Sequence, residues 1–332
     1  MSPHDPPRAR SYPLLLAGHG SADPVGVTAF HALRARVAAL LSADSVAVAG
    51  GFIELSAPSL SAAVAELTCL GHRRAVAVPL VLNSAGHAKG DVPAALARER
   101  ERHPGLSFAY GRPLGPHPVL VRLLADRTKH ARRVSLGASR DGTDPDDGQP
   151  PAVLVVGRGS TDPDANAETC KTTRLLWETQ RPGGQHFTFA ETAFVSLALP
   201  DVTEGLERCR RLGARRIVVA RYFLFPGVLP DRVAAQARAY AAAHRELEVR
   251  CADVLGGCDE IAQLVAERYR EALTGDIRMN CDMCLYRTAL PGFEHRVGAP
   301  QLPHHHPAEA DRPAEAQHHF SYPERLRAAD PS

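Results

Sequence analysis

The feature that most constrains this chain is an internal repeat. LLLAGHGSADP at residues 14–24 returns as VLVVGRGSTDP at 153–163, each an apolar run that enters Gly-x-Gly-Ser and leaves through Asp-Pro. FIELSAPSL (52–60) returns as FVSLALPDV (194–202), and LGHRRAVAVPLVL (70–82) returns as LGARRIVVARYFL (212–224). Three matches in the same order, displaced by about 140 residues, describe one supersecondary unit used twice.

Within each copy, short apolar runs alternate with longer amphipathic segments, which is the pattern of parallel βαβ units. The pattern predicts three strands per copy, with helices near 25–41, 58–70, 91–103 and 117–130, then 164–180, 200–212, 230–244 and 258–273. The expected fold class is α/β: two tandem similar lobes, each a parallel sheet flanked by helices, plus a flexible C-terminal tail. Residues 1–134 make the first lobe, the Gly-, Asp- and Pro-rich stretch 135–151 a linker, and 152–275 the second lobe. Residues 276–332, with seven prolines and six of the sixteen histidines, have no apolar period and are expected to be mostly disordered.

Charge excludes some partners. Lys plus Arg (39) against Asp plus Glu (37) leaves +2, too little field to hold nucleic acid by counterion release. No run approaches 18 consecutive apolar residues, and MSPHDPPRARSYP lacks the apolar centre of an export signal, so no membrane is expected and a cytoplasmic location is. Cys69, Cys170, Cys209, Cys251 and Cys258 are scattered, unlike a secreted disulfide framework; only Cys281 and Cys284 are closely paired.

Three polar groups stand out because only the first copy has them. His19 follows the first apolar run, at the carboxyl end of a parallel strand where open α/β sheets place ligands. Glu54 ends the second run and His87 follows the third; the repeat puts Arg158, Ser196 and Val228 at the corresponding places. A fold kept twice with its polar set kept once implies one active site, in the first lobe. Two imidazoles and a carboxylate can bind a divalent ion such as Co, Ni, Zn or Fe with open positions, and the same groups can take protons near neutral pH. A satisfied core histidine and a solvent-facing acid are the plainer alternatives for these residues.

Together LLLAGHGSADP, GGFIELSAPSL and VPLVLNSAGHAKGDVP resemble the sirohydrochlorin chelatases of cobalamin and siroheme biosynthesis, within the class II chelatase superfamily. The resemblance covers roughly residues 12–275 and implies that His19, His87 and Glu54 hold the metal and accept pyrrole protons. A doubled chain with MNCDMC (279–284) and His304-His305-His306 in its tail is similar to the long, cobalt-inserting form of that family. The implied reaction is ATP-independent insertion of Co²⁺ into sirohydrochlorin or a close relative. A carboxylate-rimmed macrocycle needs cations, for which Lys89 and Arg112 are the candidates. Cys281 and Cys284 supply two thiolates, half of a four-ligand site; two chains pooling them in a homodimer would complete the 4Fe-4S cluster that the resemblance implies, with a redox disulfide as the rival.

Two other classes compete. Histidine phosphatases also place a histidine after the first strand, but in Arg-His-Gly, whereas Gly18 precedes His19. A non-enzymatic metal-binding protein or metallochaperone would account for the histidines. Within the chelatases, a ferrochelatase of siroheme synthesis remains the alternative, because imidazole and carboxylate discriminate weakly between neighbouring ions.

Overall fold

In the computed structural model, residues 12–135, 150–179, 187–275 and 294–299 are described. The chain builds two four-stranded, wholly parallel sheets. The first has the order β2-β1-β3-β4, from β1 (Leu14–Gly18), β2 (Val48–Phe52), β3 (Arg74–Pro79) and β4 (Ser107–Tyr110). The second repeats it as β6-β5-β7-β8, from β5 (Ala152–Gly157), β6 (Ala190–Phe194), β7 (Arg216–Arg221) and β8 (Glu248–Cys251). Among the described residues eight α-helices accompany them: α1 (Pro24–Leu41), α2 (Leu60–Cys69), α3 (Val92–Arg102), α4 (Pro118–Ser135), α5 (Pro163–Thr179), α6 (Val202–Arg211), α7 (Val228–Ala243) and α8 (Asp259–Thr274). Each lies within a few residues of its predicted span. The pattern did not name β4 and β8, because SFAY and EVRC are four-residue, half-exposed edge strands without a continuous apolar run.

The central strands are apolar except for arginines at the ends of β3 and β7, because both sheet faces are covered. Along β1, Leu14 and Leu16 point to one core while Leu15 and Ala17 point to another. The outer core of the first sheet is closed by Val64 of α2 and Leu96 of α3; that of the second by Leu206 of α6 and Val233 of α7. Between the sheets runs a shared core that joins Leu14, Leu16, Val76 and Val78 to Val153 and Val155.

The last helix of each copy crosses over. α4 packs against β7, β8 and α5 of the second copy, and α8 packs against α1, β3 and β4 of the first. Side chains enforce the exchange: Arg268 of α8 is 1% exposed and donates to the carbonyls of Pro113 and Leu114, and Tyr269 donates to the Tyr12 carbonyl at 2.6 Å. Arg127 of α4 reaches the Leu255 carbonyl at 3.2 Å. The helix α1 has the length and apolarity of a membrane span, yet Phe30, Leu33, Val37 and Leu41 are buried in the shared core and α8 lies alongside.

Leu120 and Leu124 of α4 and Ile261, Leu264 and Val265 of α8 are all buried in the shared core, each contributing about 2 kcal/mol. Cleavage at a protease site engineered into residues 136–149 should therefore leave the two fragments associated. They are expected to co-elute on size exclusion without denaturant; separation would show that the exchanged helices do not hold the lobes together.

Candidate active site

Each lobe places a Gly-x-Gly turn at the end of its central strand, and the backbone there is the same in both. Gly20 has φ +112°, and a Cβ on it would stand 1.9 Å from the Glu54 carbonyl oxygen; Gly159 has φ +87°, with the Ser196 carbonyl at 1.8 Å. Only glycine permits this approach. It lets the chain after β2 run beside the turn, with the Ile53 and Glu54 amides donating to the Gly18 and His19 carbonyls at 2.9 and 3.1 Å. His19 and Glu54 are thus neighbours by backbone construction, and their Nε2 and Oε1 atoms lie 3.0 Å apart, close enough for an ion pair.

His87 arrives on the loop after β3. Residues His87–Asp91 form one wide turn of π type, with the Val92 amide donating to the His87 carbonyl, before α3 begins. Such turns recur at functional sites; here it brings Asp91 under the ring, and Asp91 Oδ2 lies 2.7 Å from His87 Nδ1. Tyr110, at the end of β4, donates to the Ala88 carbonyl at 2.7 Å and fixes the turn. Burial, with Asp91 adding to it, pushes the Tyr110 hydroxyl far above its ordinary value, so it stays a donor. The His19 and His87 rings meet edge to face, their centroids 4.1 Å apart.

The second lobe contributes one group to this centre. Arg158, at the position that the repeat equates with His19, brings Nη1 within 2.7 Å of His87 Nε2. A guanidinium has donors and no acceptor, so Arg158 donates and His87 accepts. The hydrogen on His87 is therefore at Nδ1, directed to Asp91. Burial lowers the Arg158 pKa from its ordinary value while Glu54 and Asp91 oppose that fall; the group stays charged at neutral pH.

The loop that carries His87 is pinned to the other lobe. Asn83 donates to the Ala165 carbonyl at 2.9 Å and to Thr169 Oγ1 at 2.6 Å, and the Ser84 amide donates to Glu168 Oε2 at 2.6 Å. Lys89 Nζ sits 2.8 and 2.9 Å from Asp162 and Asp164.

His19, Glu54 and His87, expected from sequence, are brought together. Lys89 and Arg112, expected to meet substrate carboxylates, have other partners. The Lys89 side chain is 4% exposed and bound between two aspartates of the second lobe, whose pull outweighs burial and raises its pKa. Arg112 makes a two-pronged bond to Glu271 of α8 at 2.8 and 2.6 Å, clamping the exchanged helix. Asp91 and Arg158 were missed as site residues, although His-x-x-x-Asp spacing and the repeat alignment pointed to them. Cys281, Cys284 and His304 to His306 lie outside the described residues. Among the described residues no three His, Cys, Asp or Glu side chains form a ready-made coordination shell.

A family model described as CbiX matches residues 13–131 and again 152–272, so each lobe is one copy of the same domain. The chain belongs to the CbiX family. A sirohydrochlorin cobaltochelatase of Priestia megaterium is 34% identical over 85% of this chain and 86% of its own length. A sirohydrochlorin ferrochelatase of the same organism is 27% identical over 67% of this chain and 77% of its own. Among solved structures, SirB from Bacillus subtilis with Fe³⁺ superposes with a TM-score of 0.64 at 23% identity, covering 80% of this chain and 97% of that one. SirB from Bacillus subtilis subspecies spizizenii in complex with cobalt gives 0.62 at 21%, covering 80% and 96%. The two-lobed architecture is thus the CbiX chelatase fold.

Interlobe docking carries a pH signature. Burial raises the Glu168 carboxyl to about 7, against the opposing pull of the Ser84 N–H bond. The folded chain then keeps this proton up to about pH 7, whereas the unfolded chain releases it near 4.5. The group's contribution to stability is full below the lower value and lost as pH rises to the upper one, a decline of about 3 kcal/mol. Glu168→Gln, which stays neutral, should flatten that decline in urea midpoints between pH 5 and 7.5; an unchanged slope would assign it to another group.

Proposed function

We propose that this CbiX-family chain is a sirohydrochlorin cobaltochelatase, inserting Co²⁺ into sirohydrochlorin or a close relative without ATP. The observation that carries the reading is the group of His19, Glu54 and His87 at three adjacent strand ends, combined with 34% identity over most of the chain to a relative named for this activity. The absence of the same set from the second lobe supports one site per chain. A cytoplasmic location belongs to the same reading.

The chemistry follows from the groups present. A free-base macrocycle must lose two pyrrole protons as it gains a dication. His87 is held by Asp91 in the tautomer that leaves Nε2 to bind an ion, the usual arrangement of a metal-ligating histidine. Imidazole suits late first-row ions and can keep the ion while macrocycle nitrogens replace its waters one at a time. Glu54, the most exposed of the three with 44% of its side chain accessible, is the route by which protons taken beside His19 reach solvent.

The test is anaerobic absorbance of sirohydrochlorin mixed with the protein and Co²⁺, Fe²⁺ or Ni²⁺. Insertion is expected to be fastest with Co²⁺ and to fall by about a hundredfold or more in His19→Ala and in His87→Ala. Preference for Fe²⁺ would favour the second reading, a siroheme-type ferrochelatase, which the 27% identical relative supports. No acceleration with any ion would leave a metal-binding protein.

Asp91 gives a separate check. Asp91→Ala removes the partner that orients His87, so Co²⁺ affinity measured by titration should weaken about 10- to 100-fold with the fold intact. Unchanged affinity would mean that His87 binds no ion.

A further inference from the structure

We propose that Arg158 is a placeholder cation that occupies the metal-binding nitrogen of His87 until a divalent ion displaces it, and reclaims that nitrogen when the ion leaves. The proposal rests on the reading of His87 as a metal ligand and concerns a group that reading does not use.

An imidazole nitrogen has one lone pair, in the plane of its ring. His87 has committed Nδ1–H to Asp91 at 2.7 Å, so Nε2 is its only ligating atom. Arg158 Nη1 stands 2.7 Å from that atom. A metal–nitrogen bond of about 2.0–2.1 Å would use the same lone pair, so the guanidinium and the ion exclude each other. Glu54 and Asp91 act on the Arg158 charge, so the two carboxylates face a cation whichever one is present.

The doubled fold explains why an arginine is there. The second Gly-x-Gly turn directs residue 158 to the centre that His19 reaches from the first. In place of another imidazole, which would add a ligand, the second lobe supplies a permanent charge that competes with the ion. An enzyme that hands its metal to a macrocycle gains from this competition, because a complete and unopposed ligand set would retain the ion.

The experiment is equilibrium dialysis of Co²⁺ against the full chain, for wild type, Arg158→Met, His87→Ala and the double variant. A charge-assisted hydrogen bond lost from the metal-free state should tighten Co²⁺ binding by about ten- to a hundredfold in Arg158→Met. The gain should vanish when His87 is also alanine, since the competition acts through its Nε2. Where methionine disturbs the thermal melt, Arg158→Gln replaces it, with a gain of the same sign expected. Unchanged or weaker binding in a folded Arg158 variant overturns the proposal. A gain that persists without His87 also overturns it, because it would make Arg158 a diffuse charge. Equal Co²⁺ binding by wild type and His87→Ala would overturn the underlying metal-site reading instead, so the two failures are distinguishable.

Discussion

The loop that carries His87 belongs to the first lobe in sequence, but the second lobe holds it in place. Asn83 and Ser84 are bonded to α5, and Lys89 is buried between Asp162 and Asp164, where α5 begins. Removing one partner of such a buried pair leaves an uncompensated charge, which costs far more than an exposed pair is worth. This docking also bears on the position of Arg158, the first residue after β5 and a few residues earlier in the same chain segment. The approach of Arg158 to His87 is therefore a property of the interface between copies.

The exchange of α4 and α8 extends that interface with packed helices. A linker-joined pair of independent lobes would present a hinge, and two histidines on one side with an arginine on the other would meet only in some orientations. Here the shared core runs unbroken from Leu14 to Val155, and Arg268, Tyr269 and the Arg112–Glu271 pair fasten α8 to the first copy. Arg112 shows how a cation that sequence context places near a cleft is put to structural use: its planar fork matches a carboxylate two-pronged, and Glu271 is the carboxylate that the exchange delivers.

Much of this was legible in the sequence because the repeat and the periodicity are local signals. The eight helices and the central strands follow from apolar spacing, and the His19, Glu54 and His87 set follows from comparing the copies. The helix exchange is a choice of which sheet an amphipathic helix covers, and an amphipathic face reads the same against either sheet. For that reason Lys89 and Arg112 were assigned to a ligand when their partners, Asp162, Asp164 and Glu271, lie 73 to 159 residues away in the chain. The His87–Asp91 contact needed a wide turn where ordinary helical periodicity gave no warning, and the edge strands β4 and β8 were too short to register.

The asymmetry between copies gives the doubling a chemical consequence. Two identical turns facing each other would bring matching groups to a two-fold centre, and a metal there would meet the same donors from both sides. The Gly-x-Gly turn keeps its backbone in both copies, as the paired Gly20 and Gly159 contacts show, while its middle residue changes from His19 to Arg158, from a possible donor to a fixed positive charge. Ligands then approach from one lobe and positive charge from the other. If His19, Glu54 and His87 hold the ion as proposed, its ligands come from the first lobe alone, and the side facing the second lobe carries charge in place of a further donor.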